Sequence, residues 1–215
     1  MLRYDTVTPL LREVLSILMN EEMFSPFRLV GGTNLSLRFG HRMSDDIDLF
    51  TDAEYGSLDF NRYELFLRSR FSYYYSSDRT SIVGFGRSYY VGTSPDKCVK
   101  LDLMYTDKFL LAEEVIDSIR MASVDDIVAM KINAISRGGR KKDFWDIHKL
   151  FGLYSLPQML ELHQKRHVWE HEETKVLNSL LDFEEANSMA DPQCLEGKDW
   201  DNVKLDIIDA VSILL

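Results

Sequence analysis

Residues 29–50 read LVGGTNLSLRFGHRMSDDIDLF, and the fold is decided here. The apolar run FRLV predicts a strand, Gly31 and Gly32 a tight turn, and Leu35, Leu37 and Phe39 before Gly40 a short helix. DIDLFTD then alternates carboxylates with apolar residues and predicts a second strand. Residues two apart in a strand share a face, so Asp46 and Asp48 project together while Ile47 and Leu49 enter the core.

Two like charges side by side call for a cation. Hard carboxylate oxygens with no neighbouring Cys or His ligand set suit Mg²⁺, which takes its remaining ligands from water and substrate phosphates. A third carboxylate on an adjacent strand would allow two metals roughly 3.5–4 Å apart. Asp102 is the candidate: in VKLDLMY, Val99, Leu101 and Leu103 alternate with Lys100, Asp102 and Met104. Gly31, Gly32 and Thr33 lie where a helix begins, so free backbone N–H groups and the Thr33 hydroxyl can receive phosphate. A lone DxD is commonly a solvated turn and a lone GGT a helix start. Their order within one strand–turn–helix–strand unit is what points to phosphoryl transfer. GGTN has no Walker lysine, and DIDLFTD lacks the glycine and spacing of an EF-hand loop.

Working outward, Thr8 and Pro9 start an opening helix that carries Leu11, Val14, Leu15, Leu18 and Met19. DFNRYELFLRSRF predicts another helix. FSYYYSS and SIVGFGRSYYVG predict a hairpin about the turn-like DR, their aromatics filling a sheet face. From about residue 120 the pattern is helical, beginning with SVDDIVAMKINAISR capped by Ser123. Helices follow over 141–151, then through PQMLELHQKRHVWEHEE, TKVLNSLLDFEEA and VKLDIIDAVSILL. The expected organisation is an α+β core over 1–119 and a helical region over 120–215 that completes the cleft.

Three features of the helical region bear on chemistry. Lys131 can neutralise the β- and γ-phosphates of a nucleotide. Asp143 and Asp146 share a helix face and can hold Lys131 or a substrate hydroxyl. Arg137, Arg140, Lys141 and Lys142 surround Gly138 and Gly139 in the densest basic patch of the chain, suited to local contact with RNA phosphates or a triphosphate. His41 and Arg42 stand close enough in sequence to touch a phosphate, but a lone loop histidine is more often structural, and His41 receives no catalytic role.

Composition narrows the setting. With 25 Lys and Arg against 35 Asp and Glu, the net charge of -10 argues against a broad grip on nucleic acid. Two distant cysteines suggest neither zinc nor a disulfide framework, and no stretch reads as a signal peptide or membrane helix. A soluble cytoplasmic protein is expected.

The run LVGGTNLSLRFGHRMSDDIDLF, followed by KINAISRGGRKKDFWDIHKLF over residues 131–151, resembles the motifs of the AbiEii family. These are nucleotidyltransferase-like toxins of abortive-infection toxin–antitoxin systems that also resemble the MenT toxins. The resemblance implies a polymerase-β-like fold, a small mixed sheet flanked by helices. It also implies two-metal Mg²⁺-dependent transfer from an NTP, an RNA acceptor such as tRNA, and a cognate antitoxin. Carried over by position, Gly32 and Thr33 match the phosphate motif, Asp46 and Asp48 the metal pair, Lys131 the helical lysine, and Asp143 and Asp146 the last acidic motif. Asp102 is a weaker match.

The candidate catalytic groups are therefore Asp46, Asp48, Asp102, Lys131 and Asp143. Gly31, Gly32, Thr33, Lys131 and Asp146 are the candidate nucleotide-binding residues, and Asp46, Asp48 and Asp102 the candidate metal ligands. Two rivals stay open: transfer to a protein or a small molecule such as an aminoglycoside, and a non-catalytic subunit that holds a nucleotide or partner in the same cleft.

Overall fold

The computed structural model of the chain describes residues 1–76 and 84–214. A mixed sheet of seven strands forms the centre, in the order β3-β4-β5-β2-β1-β7-β6. The strands are β1 (Arg28–Leu29), β2 (Asp46–Thr51), β3 (Tyr73–Ser76), β4 (Gly86–Ser94), β5 (Lys97–Tyr105), β6 (Glu114–Ile116) and β7 (Ile119–Met121). β2 pairs with β5, and β1 with β7, in parallel; the other pairs are antiparallel. This is the mixed α+β architecture that the sequence predicts.

Alternation sorts the two faces of the sheet. Ile47, Leu49, Leu101, Leu103, Tyr89 and Val91 point into a core closed by helix α1 (Pro9–Asn20) and by helix α3 (Phe60–Arg70), which supplies Phe60, Tyr63 and Leu67. Thr8 caps α1 by accepting from the Leu11 amide at 3.1 Å, with Pro9 at the first helical position. Helix α2 (Gly31–Phe39) lies on the other face.

That second face belongs to a separate core, built from α4 (Val124–Ser136), α5 (Lys141–Leu150), α6 (Leu156–Arg166), α7 (Glu173–Leu181), the short α8 (Glu184–Asn187) and α9 (Trp200–Ser212). Val30 and Leu35 pack into it from the α2 unit, and Phe50 reaches it from β2. The expected boundary at 119/120 falls inside β7, so the sheet itself runs across it. Two contacts weld the halves. Arg166 pairs with Asp126 at 2.9 Å, both side chains fully buried, and it also donates to the carbonyls of Lys108 and Asp107 at 2.7 and 3.1 Å. Asn34 donates to the carbonyls of Leu29 and Ala122 at 2.8 and 3.1 Å, fastening α2 between β1 and the start of α4.

Several local expectations need correction. The helix expected through TKVLNSLLDFEEA breaks after Leu181, where Asp182 turns extended and accepts from the Glu184 amide. The helix expected to run through HVWEHEE ends at Arg166. The hairpin of β3 and β4 pairs Tyr75 with Tyr90, but the turn-like DR lies outside the described residues. Among the described residues no helix is long and apolar enough to cross a membrane.

Candidate active site

The strand β2 delivers the acidic pair. Asp46 and Asp48 lie on the face away from Ile47 and Leu49, and the parallel register with β5 sets Asp48 beside Asp102 and Asp46 beside Lys100. All three aspartates therefore share one face of two adjacent strands.

Above them sits the start of α2. Gly31 adopts φ +70°, and a Cβ there would stand 2.3 Å from Asp48 Oδ2. Only glycine combines that conformation with so close an approach. A Cβ on Gly32 would stand 2.1 Å from Arg42 Nη2. Thr33 is placed differently from the expected phosphate contact: it is 1% exposed, and its hydroxyl donates to the Asp46 carbonyl and accepts from Ser44 Oγ at 2.8 Å. Thr33 thereby fixes the strand that bears the acids.

Burial, then the nearby Asp102, push the Asp48 carboxyl up to about 6; Lys131 opposes this and Asp46 reinforces it. Lys100 Nζ lies 2.5 Å from Asp102 Oδ2, and Lys142 Nζ lies 3.1 Å from Asp46 Oδ2. Asp102 Oδ1 is buried with no hydrogen-bond partner among the described residues. Among the described residues, no three acidic, His or Cys side chains already converge on a metal-sized volume, because Asp46 and Asp102 are turned to their lysines.

Lys131, Asp143 and Asp146 form a neighbouring unit of another kind. Lys131 Nζ meets Asp143 Oδ1 at 2.6 Å and Asp146 Oδ2 at 2.7 Å. Asp146, 0% exposed, also accepts from Arg42 Nε and Nη2 at 2.7 and 2.8 Å and hydrogen-bonds His41 Nε2 at 2.8 Å. Burial alone would raise the Asp146 carboxyl, but Arg42 and Lys131, together with these hydrogen bonds, hold it well below the usual carboxylate range. The same balance of burial against Lys131 lowers Asp143, which also accepts from the Arg140 amide at 3.0 Å. Burial works against the charge on Lys131, yet Asp146 and Asp143 raise its pKa. Two carboxylates face two full cations, and every Asp146 oxygen is engaged. Asp146 thus stands as a clamp beneath the acidic face, where the sequence suggested a nucleotide contact. His41 and Arg42 serve this clamp instead of reaching for phosphate.

The basic patch divides. Lys141 is buried, 2.9 Å from Asp191, which removes it from the expected RNA contacts. Arg137 pairs with Glu170 on another side of α4, while Arg140 stays largely exposed and Lys142 faces Asp46. The C-terminal stretch holds this arrangement: Met43 N donates to Gln193 O and Leu195 N to His41 O, both at 2.9 Å. Sequence reasoning missed Lys100, although its place two residues before Asp102 put it on the same strand face. It also missed the Asp146 partnership of Arg42, for which no local signal exists.

Residues 13–212 match the family model described as nucleotidyl transferase AbiEii toxin, type IV TA system. The chain belongs to this AbiEii family. The uncharacterized protein aq_aa25 of Aquifex aeolicus (strain VF5) is 29% identical over 187 residues, covering 81% of this chain and 82% of the relative. JHP933 from Helicobacter pylori has a similar structure, with a TM-score of 0.58 and 18% identity over 94% of this chain and 89% of its own. MenT4, a nucleotidyltransferase toxin from Mycobacterium tuberculosis H37Rv, superposes with a TM-score of 0.54 at 12% identity, covering 93% and 80% of the two chains. At these identities the likeness establishes a shared fold. Membership of the AbiEii family makes the chain a nucleotidyltransferase.

Proposed function

We propose that this AbiEii nucleotidyltransferase moves a nucleoside monophosphate from an NTP to a hydroxyl of RNA, tRNA being the leading acceptor, with Mg²⁺. It would act as the toxin of a toxin–antitoxin pair, with a cognate antitoxin as partner. The carrying observation is the register of Asp48 with Asp102 beneath the glycine start of α2, with Asp46 on the same face.

Mg²⁺ fits the oxygen-only donor set of Asp46, Asp48 and Asp102, and the buried Oδ1 of Asp102, unpartnered among the described residues, is a ready ligand atom. When bound it would supply charge neutralisation of the phosphates and a more acidic acceptor hydroxyl. The chain's own groups do the rest. Backbone N–H groups at Gly31 and Gly32 receive phosphate oxygens at the positive end of α2. Asp102 accepts the proton of the acceptor hydroxyl, whose oxygen attacks the α-phosphorus in line. The bond from the α-phosphorus to the bridging oxygen breaks, and pyrophosphate leaves. Lys142, half-exposed and already at Asp46, is better placed than buried Lys131 to meet the departing charge. Lys131 holds the acidic face in place through Asp143 and Asp146.

The test is to incubate the protein with Mg²⁺, total bacterial RNA and each α-labelled NTP, beside the Asp46→Ala, Asp48→Ala double variant. Labelled RNA from the wild type alone supports the reading. The net charge of -10 favours one alternative, a protein or small-molecule acceptor. Label found only in those fractions would select it.

A further inference from the structure

Beyond the acids the cleft opens into a cavity of about 940 Å³. Its floor begins at Phe50, on the same strand face as Asp46 and Asp48 and about 6–7 Å along β2 from Asp48. One wall is a helical stripe of α4, Met130, Asn133 and Ala134, continued by the C-cap residue Arg137. The floor thus leads out of the acidic site along β2.

Facing the stripe is a row of three aromatic rings. Tyr55 lies 5.3 Å from Tyr105 and 6.1 Å from Phe85, centroid to centroid. Tyr55 and Phe85 are 61% and 79% exposed beside this cavity. Large exposed aromatics bordering a pocket are costly to leave in water and suit stacking on a planar ligand.

Charge distinguishes the two ends of the cleft. Among the described residues, Asp52, Glu54, Asp107 and Glu170 line the cavity against Lys108 and Arg137. Four carboxylates against two cations repel phosphate and admit a neutral aromatic group. At the Asp46 end, a hollow of about 300 Å³ is lined by Arg42, Arg140, Lys141 and Lys142 against Asp45, Asp46 and Asp191. A triphosphate therefore belongs at the Asp46 end and the glycine turn, with its nucleoside lying the other way.

We propose that the aromatic cavity holds the base and ribose of the incoming NTP, the base stacked on Tyr55 and Phe85. This rests on the nucleotidyl-transfer reading and assigns it an orientation. Because both rings are largely exposed, replacing them leaves the cores intact.

The experiment is calorimetric titration, with Mg²⁺, of the four NTPs and of inorganic tripolyphosphate. Wild type, a Tyr55→Ala, Phe85→Ala double variant and the Asp46→Ala, Asp48→Ala double variant are compared. The aromatic variant should lose affinity for its NTP by roughly tenfold or more while binding tripolyphosphate like the wild type. The aspartate variant should lose both ligands. An aromatic variant that binds NTP within about twofold of wild type overturns the proposal but leaves nucleotidyl transfer standing. The proposal falls likewise if that variant is weakened equally toward tripolyphosphate, which would signal general damage. No NTP binding by the wild type would overturn the orientation and the transferase reading together.

Discussion

Asp48 on β2 stands directly beside Asp102 on β5 in a parallel strand pair, with Gly31 pressed against Asp48 from above. Burial and the neighbouring carboxylate make ionised Asp48 costly in the folded chain, so activity and stability should respond to it in opposite directions.

Asp48→Asn should abolish transfer and stabilise the protein. Its folded pKa, about 6, lies above the ordinary 3.8. The penalty of ionising it in the folded state is thus absent below about pH 4, grows between pH 4 and 6, and is fully present above. In metal-free buffer at pH 8, the asparagine variant should gain on the order of 2 kcal/mol over wild type, with the gain vanishing near pH 4. Urea titrations across that range measure it; equal stability at both pH values would contradict the assignment.

The clamp should behave oppositely. Asp146 has a depressed folded pKa, so its contribution is fully present above the unfolded value and is lost as pH falls below it. Asp146→Ala leaves Arg42 buried without its carboxylate partner and Lys131 with Asp143 alone, and should cost about 3–5 kcal/mol at pH 7. Denaturation at pH 7 and pH 3 tests both parts, since the deficit should shrink in acid.

Thr33→Val removes the hydroxyl between Ser44 and the Asp46 carbonyl and should destabilise by about 1–3 kcal/mol, lowering transfer with it. Thr33→Ser should restore both. Thermal melts beside transfer rates check this, and full activity in the valine variant would show that the strand needs no such tie.

Lys142→Ala should raise KM for the NTP about tenfold with little change in thermal stability, because its side chain is half-exposed. Steady-state kinetics would read it; an unchanged KM would remove Lys142 from the phosphate path.

Strand, helix and acidic strand were legible because each has a local cause, such as the alternation in DIDLF and the cap at Thr8, whereas the expected turn at Gly31 and Gly32 is instead the start of α2, entered at a positive φ of Gly31. The β6–β7 hairpin was not legible, since each strand has three residues and its turn places Asp117 and Ser118 at φ 50° and 66° without the Asn-Gly or Asp-Gly that usually marks such turns. The three acids were readable as a shared face, because strand alternation alone fixes it. The pairing of Arg42 with Asp146 was not, as the partners lie 104 residues apart and no spacing rule reaches that far. Thr33 looked like a phosphate ligand from its place after two glycines, and burial turned its hydroxyl inward.

In the proposed reaction the bond from the α-phosphorus of an NTP to the oxygen bridging its β-phosphorus is the one broken. Parallel reactions with α-labelled and γ-labelled NTP, with pyrophosphate measured in each, test it most directly. α-Label should appear on the acceptor and γ-label only in pyrophosphate, with one pyrophosphate per transfer and neither product from Asp48→Asn. Transfer of the γ-label to the acceptor would contradict it.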